Sequence, residues 1–242
     1  MALAIWADSP DVPATVCFDA RLHGEGGSAD DYAGQAGWDA GIHFSSLRDL
    51  ANKLSAGGAK LPAHVCGNAW FNCAPAGAGQ VTRLAINAHG LPGQLYINGQ
   101  NATPLTAANI NDYVSDLKCI GFALAPDATV ILMGCIAGQG PRGTLLLQAL
   151  QRVWPGRTIV AFVTVGFQNP DRMFRSGQGC TEPGMRDTIS LSPTMTGRQA
   201  FATYDPLWTD FRYLPWAAEN SPGAKVIRNG VLVTQPSFDL TK

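Results

Sequence analysis

Short, unbroken apolar runs alternate along the middle of the chain with segments whose apolar positions recur at helical spacing. Arg83-Leu84-Ala85-Ile86-Asn87-Ala88 and Thr129-Val130-Ile131-Leu132-Met133-Gly134 are runs of the first kind, as is the stretch at 158–165. A brief β-rich apolar run bounded by turn residues suits a strand buried on both faces. Segments of the second kind place Phe44, Leu47, Leu50, Ala51 and Leu54 on one helical face behind Ser45 and Ser46, with Gly57-Gly58 as a stop. Two more helices are predicted. One runs over 106–117, with Thr106 as N-cap and Ala107, Ile110, Val114 and Leu117 on its apolar face; the other runs over 143–154. Strand, helix, strand, helix, strand predicts an α/β fold with a parallel sheet and right-handed crossovers.

The flanks are less regular. Residues 13–20 are expected to form the first core strand, and the Gly- and Asp-rich stretch at 24–41 a long surface loop. Asn98-Gly99 marks a turn in a small hairpin expected right after residue 89, and Asn229-Gly230 marks another within 226–233. From Gly166 onward the pattern weakens into a Gly, Pro, Arg and Ser mixture, and 203–216 is rich in aromatic residues that pack over the sheet or wall a substrate site. The expected organisation is one domain over 1–242, with a core at about 13–165 and an irregular part at about 166–242.

Composition narrows the function classes. The 242 residues carry a net charge of −1, and only 14% are charged, so no electrostatic footprint points to nucleic acid or an anionic membrane. The apolar stretches fall short of the ~20 residues that span a bilayer. Residues 1–8 have no basic leader and too short an apolar run for a secretory signal, which predicts a cytoplasmic protein or one exported by a dedicated non-Sec system. Six cysteines are too dilute for a small disulfide-rich domain. Cys66 and Cys73 close a small disulfide loop or remain ordinary thiols; Cys17 and Cys119 read as structural, and Cys180 as loop-borne.

The chemistry gathers where the two motif strands end. The first stops at His89-Gly90 and the second at Cys135. In open α/β sheets, ligands and chemistry collect at the carboxyl ends of parallel strands, so neighbouring strands of this kind set an imidazole beside a thiol. Cysteine attacks as its thiolate, and an imidazole takes its proton or stabilises the anion. Backbone N–H groups of Gly90 and Cys135 are the natural oxyanion donors for acyl transfer. Gly134 and Gly138 permit a sharp turn around the nucleophile. This reading predicts a cysteine hydrolase without metal or cofactor. His64 near Cys66 and Cys73 matches no strong zinc spacing, and His23 and His43 are expected to be exposed.

An apolar strand ending in His-Gly, then a later one ending in Met133-Gly134-Cys135-Ile136-Ala137-Gly138, resembles the caspase-like cysteine peptidases of clan CD. The likeness is greatest to bacterial members with CHAT-type domains, and it covers residues 13–165. It implies a three-layer sandwich, with a mostly parallel central sheet, helices on both faces and a less regular C-terminal extension. It further implies His89 as base or proton donor, Cys135 as nucleophile, and Gly90 with Cys135 as oxyanion hole. Specificity in such proteins comes from loops after the first core strand and after the strand that follows the nucleophile. Asp19, Arg21, Asp171 and Arg172 compete for that role. The family often carries a polar or acidic residue where this chain has Met133.

The expected activity is an endopeptidase-like thiol protease cleaving a protein or peptide substrate through an acyl-enzyme, as in a delivered bacterial effector. A cysteine amidase acting on peptidoglycan or another non-protein amide uses the same dyad. An inactive caspase-like binding module is the third reading. Taken singly, a buried cysteine or histidine is usually a packing residue; it is their joint position at two strand ends that favours chemistry.

Overall fold

The computed structural model describes residues 3–9, 40–55, 79–99, 101–163, 215–220, 223–236 and 239. Its main sheet has seven strands. In chain order they are β1 (Leu3–Asp8), β2 (Ala40–His43), β3 (Val81–Asn87), β7 (Leu124–Leu132), β8 (Thr158–Phe162), β9 (Ala224–Arg228) and β10 (Val231–Thr234). Across the sheet the order is β10-β9-β8-β7-β3-β1-β2. The five strands from β2 to β8 are mutually parallel, and β9 runs antiparallel to β8 and to β10. A second sheet of β4 (His89–Leu91), β5 (Gln94–Tyr96) and β6 (Leu105–Thr106) is antiparallel. The protein is therefore α/β, with a mixed, mostly parallel central sheet.

Among the described residues three α-helices accompany the sheet: α1 (Leu47–Ser55), α2 (Val114–Ala123) and α3 (Gly140–Val153). The crossovers β2-α1-β3, β3-α2-β7 and β7-α3-β8 all progress in one direction across the strand order, so right-handed connections place all three helices on one face. Their buried residues, including Leu50, Leu117 and Leu147, form one core with Ile5, Leu84, Val130 and Ile159. The opposite face carries Ala4, Ala85, Ile131, Val160, Phe162 and Val226, and Ala218 of a short 3-10 segment (Pro215–Asn220) packs there. Where helices on both faces are expected, the described α-helices thus occupy one. Arg83 Nη1 donates to Glu219 Oε2 at 2.7 Å, and Thr129 Oγ1 donates to Glu219 Oε1 at 3.0 Å, fixing the 3-10 segment to the sheet.

Several expectations shift on the molecule. The first strand of the sheet described is Leu3–Asp8, and the expected strand at 13–20 lies outside the described residues. β2 begins inside the expected surface loop; four residues containing Gly41 and His43 carry too little apolar signal to read as a strand. The helix expected over 106–117 starts later. Thr106 N–H donates to Asn109 Oδ1 at 2.8 Å and Asn109 N–H to Thr106 Oγ1 at 3.3 Å, a reciprocal turn that stops β6 before a 3-10 turn (Ile110–Tyr113) leads into α2. The hairpin after residue 89 turns at Pro92-Gly93, where Gly93 has φ +72°, and Asn98-Gly99 makes the next bend. Beyond residue 166, β9 and β10 extend the same sheet, with Asn229 (φ 49°) and Gly230 (φ 78°) in the left-handed pair expected of their hairpin. Cys119, buried on α2, is disulfide-bonded.

Candidate active site

The strand order sets the place. Successive connections leave β1 in one direction for β2, whereas those through β3, β7 and β8 progress in the other, so the topology switches between β1 and β3. Crevices form outside the carboxyl ends of strands at such a point, which β3 borders and from which β7 is one strand removed. β3 and β7 pair directly, with Ile86 opposite Leu132, and Met133 N–H donates to Ile86 O at 2.9 Å. His89 and Cys135 each stand three residues beyond that pair, at the carboxyl edge of adjacent parallel strands.

Ala88, between β3 and β4, belongs to the helix-side core. Met133 lies in the opposite core, and Cys135 packs partly against it. The imidazole and the thiol are each half-buried. The two residues expected from sequence thus follow the ends of neighbouring parallel strands, with Cys135 against the core opposite α1–α3.

The hairpin after β3 packs against the chain around Cys135. A Cβ on Gly90 would fall 2.8 Å from the Cys135 carbonyl oxygen and 2.9 Å from Gly134 Cα, so only glycine fits there without displacing backbone. Gly134 is confined by a side chain, since its own Cβ would meet Leu95 Cδ1 at 2.6 Å. Gly93 N–H donates to Ala137 O at 3.0 Å and ties the hairpin tip to the segment after the thiol. Gly90 and Cys135, the two expected oxyanion donors, are therefore in backbone contact.

Beyond Cys135 the chain turns tightly. Ala137 N–H donates to Gly134 O at 3.2 Å and Gln139 N–H to Ile136 O at 2.9 Å, before α3 starts at Gly140. Ile136 has φ +49°, a left-handed conformation that a β-branched side chain adopts at a cost of about 1–2 kcal/mol. Strain of this kind concentrates at functional sites. Sequence reading missed it, because nothing in Ile136 itself announces a positive φ; the close Gly134 and Gly138 are the only hint.

Of the remaining site expectations, Asp19, Arg21, Asp171 and Arg172 lie outside the described residues, as do His23, His64, Cys17, Cys66, Cys73 and Cys180. Ser9, just after β1, donates its N–H to Asn87 O at 2.9 Å. Met133 is 8% exposed and packs into the core. His43, at the end of β2, is exposed. Among the described residues no group of three His, Cys, Asp or Glu side chains is placed to hold a metal, and no helix is long and apolar enough to cross a membrane.

A family model for a domain of unknown function, DUF4347, matches residues 72–165, less than half of the chain but spanning β3 to β8 with both His89 and Cys135. No curated protein and no solved structure matches the sequence.

Proposed function

We propose that the protein is a caspase-like cysteine peptidase in which Cys135 attacks a peptide carbonyl and His89 manages the protons. The observation that supports this reading is the pairing of β3 with β7, beyond whose ends His89 and Cys135 follow at the same carboxyl edge of the sheet. Thiolate attack forms a tetrahedral intermediate, and its oxyanion is received by the N–H groups of Cys135 and Gly90. Collapse expels the amine, which takes a proton from His89 and leaves an acyl-enzyme thioester. Water then attacks that thioester, His89 removes the water's proton, and the thiol is released with the carboxylic acid product.

A broad acyloxymethyl-ketone probe tests the reading. Labelling at Cys135 that is lost in Cys135→Ala and falls sharply in His89→Ala supports it, and a peptide-library screen against an amide panel then separates peptidase from amidase. Burial of Met133, where relatives of this kind often present a polar side chain, favours one second reading: a caspase-like module that binds without cleaving. An inert Cys135 in folded protein selects that version.

A further inference from the structure

The start of α3 is held by two fully buried charges. Lys225 Nζ pairs with Asp239 Oδ2 at 2.5 Å, the two side chains being 0% and 1% exposed. Both reach the same residue. Gly140 N–H donates to Asp239 Oδ1 at 2.7 Å, and Lys225 Nζ donates to Gly140 O at 3.0 Å and to Thr144 Oγ1 at 3.1 Å. All three ammonium hydrogens therefore have acceptors, and Gln235 Nε2 adds a bond to Asp239 Oδ2 at 3.3 Å. Burying such a pair is expensive, and apolar residues of similar volume commonly serve stability as well or better. A function in geometry accounts for it more directly.

That geometry leads to the thiol. Gly140 has φ +62° and lies five residues after Cys135. Gly138, between them, donates its N–H to Phe162 O at 2.9 Å, and a Cβ there would meet Ala161 carbonyl atoms at 3.0 Å. Lys225 pairs across the sheet with the same Ala161. The segment after Cys135 is thus clamped between the end of β8 and a latch whose two charges come from β9 and from the C-terminal Asp239.

We infer that Lys225 and Asp239 are positioning residues for Cys135: their joint hold on Gly140 sets the turn that carries the thiol. The inference rests on Cys135 being the nucleophile. Releasing either charge leaves the other buried and unpaired and removes part of the hold on Gly140.

The test compares Asp239→Asn and Lys225→Met with Glu219→Gln, which breaks a mostly buried ion pair on the other face of the sheet. Iodoacetamide alkylation of Cys135 is measured against pH well below each variant's Tm, together with hydrogen exchange at Gly138 and Gly140. The latch variants are expected to slow Cys135 by about tenfold or more and to displace the midpoint of its pH profile, as small misplacements of a reacting group do. Glu219→Gln is expected to lower Tm while leaving both readouts in place. Should the single variants fail to fold, Lys225→Met with Asp239→Leu removes both charges together and is read the same way. Unchanged Cys135 kinetics in folded latch variants, or rapid exchange of Gly140 N–H in the wild type, overturns the inference. A wild-type Cys135 no more reactive than an unfolded thiol instead overturns the catalytic reading, and the exchange data then judge the latch separately.

Discussion

A single methyl group on Gly90 would stand 2.8 Å from the carbonyl oxygen of Cys135, although the two residues are far apart in the chain. The contact joins the hairpin that begins at His89 to the turn that carries the thiol, so the backbones bearing the two halves of the candidate dyad touch. Gly90→Ala is therefore expected to push β4 away from Cys135. The rate of Cys135 with an acyloxymethyl-ketone should fall about 10²-fold, the scale of an ångström-sized misplacement or of a lost oxyanion donor. Stopped-flow labelling checks this, and a rate within twofold of wild type would contradict it.

Ile136 offers a different test. Its positive φ stores strain that glycine would release, while glycine also loses side-chain packing and gains unfolded-state entropy. These terms nearly cancel, so Ile136→Gly should change stability by no more than about 1 kcal/mol in a urea titration. Its alkylation rate at Cys135 should nevertheless drop, since the turn is no longer held in one conformation. A stability loss of ~3 kcal/mol, typical of a large-to-small change in a core, would show that no strain is stored there.

The start of α1 carries the clearest pH dependence. Ser46 Oγ accepts the N–H of Asp49 at 3.1 Å, and Asp49 Oδ2 accepts from Ser45 N–H and from Lys53 Nζ at 2.9 Å each. Partial burial pushes the Asp49 carboxyl up, but the Lys53 and Ser45 donors outweigh it and hold the group below its ordinary value of 3.8. A carboxylate depressed on folding contributes stability above its unfolded pKa and loses it as pH falls through the folded one. The stability gap between wild type and Asp49→Asn should thus be present at pH 7 and close below about pH 4. Ser46→Ala should cost about 1 kcal/mol as a lost N-cap.

Arg157 sits at the carboxyl end of α2. Its guanidinium donates to Gly121 O at 3.2 Å, in the last turn of the helix, and to Leu124 O and Ala125 O at 3.1 Å each, in the first residues of β7. Burial lowers its pKa without discharging it. Arg157→Ala should destabilise by about 2 kcal/mol, and Arg157→Lys should recover only part of that, because an ammonium cannot span the same fork. Equal stability of the Lys variant and wild type in thermal melts would contradict the clamp.

Much of this architecture was legible because burial leaves a periodic trace. The strands of Ile86 and Leu132, buried on both faces through Ala85 and Ile131 as well, announce themselves by unbroken apolar sequence, and the candidate residues after their ends follow from the same reading. The offset of α2 was not legible. Val114 and Leu117 fit a helical face whether it starts at residue 106 or 114, and only the Thr106–Asn109 turn decides. Nor did Lys225 or Asp239 declare themselves, since a lysine in a strand and an aspartate near the chain end read as solvated until the fold brings them together at Gly140. Local pattern carries elements and their ends; long-range ion pairs and strained turns such as Ile136 exist only in three dimensions.

The central claim, that His89 activates Cys135, is tested most directly by the pH profile of Cys135 labelling with an acyloxymethyl-ketone, compared between wild type and His89→Ala at matched folding. The account predicts fast labelling near neutral pH in the wild type and a rate at least tenfold lower in His89→Ala, its profile displaced toward the ordinary thiol range near 8.5. Identical rates and profiles for the two proteins would contradict it.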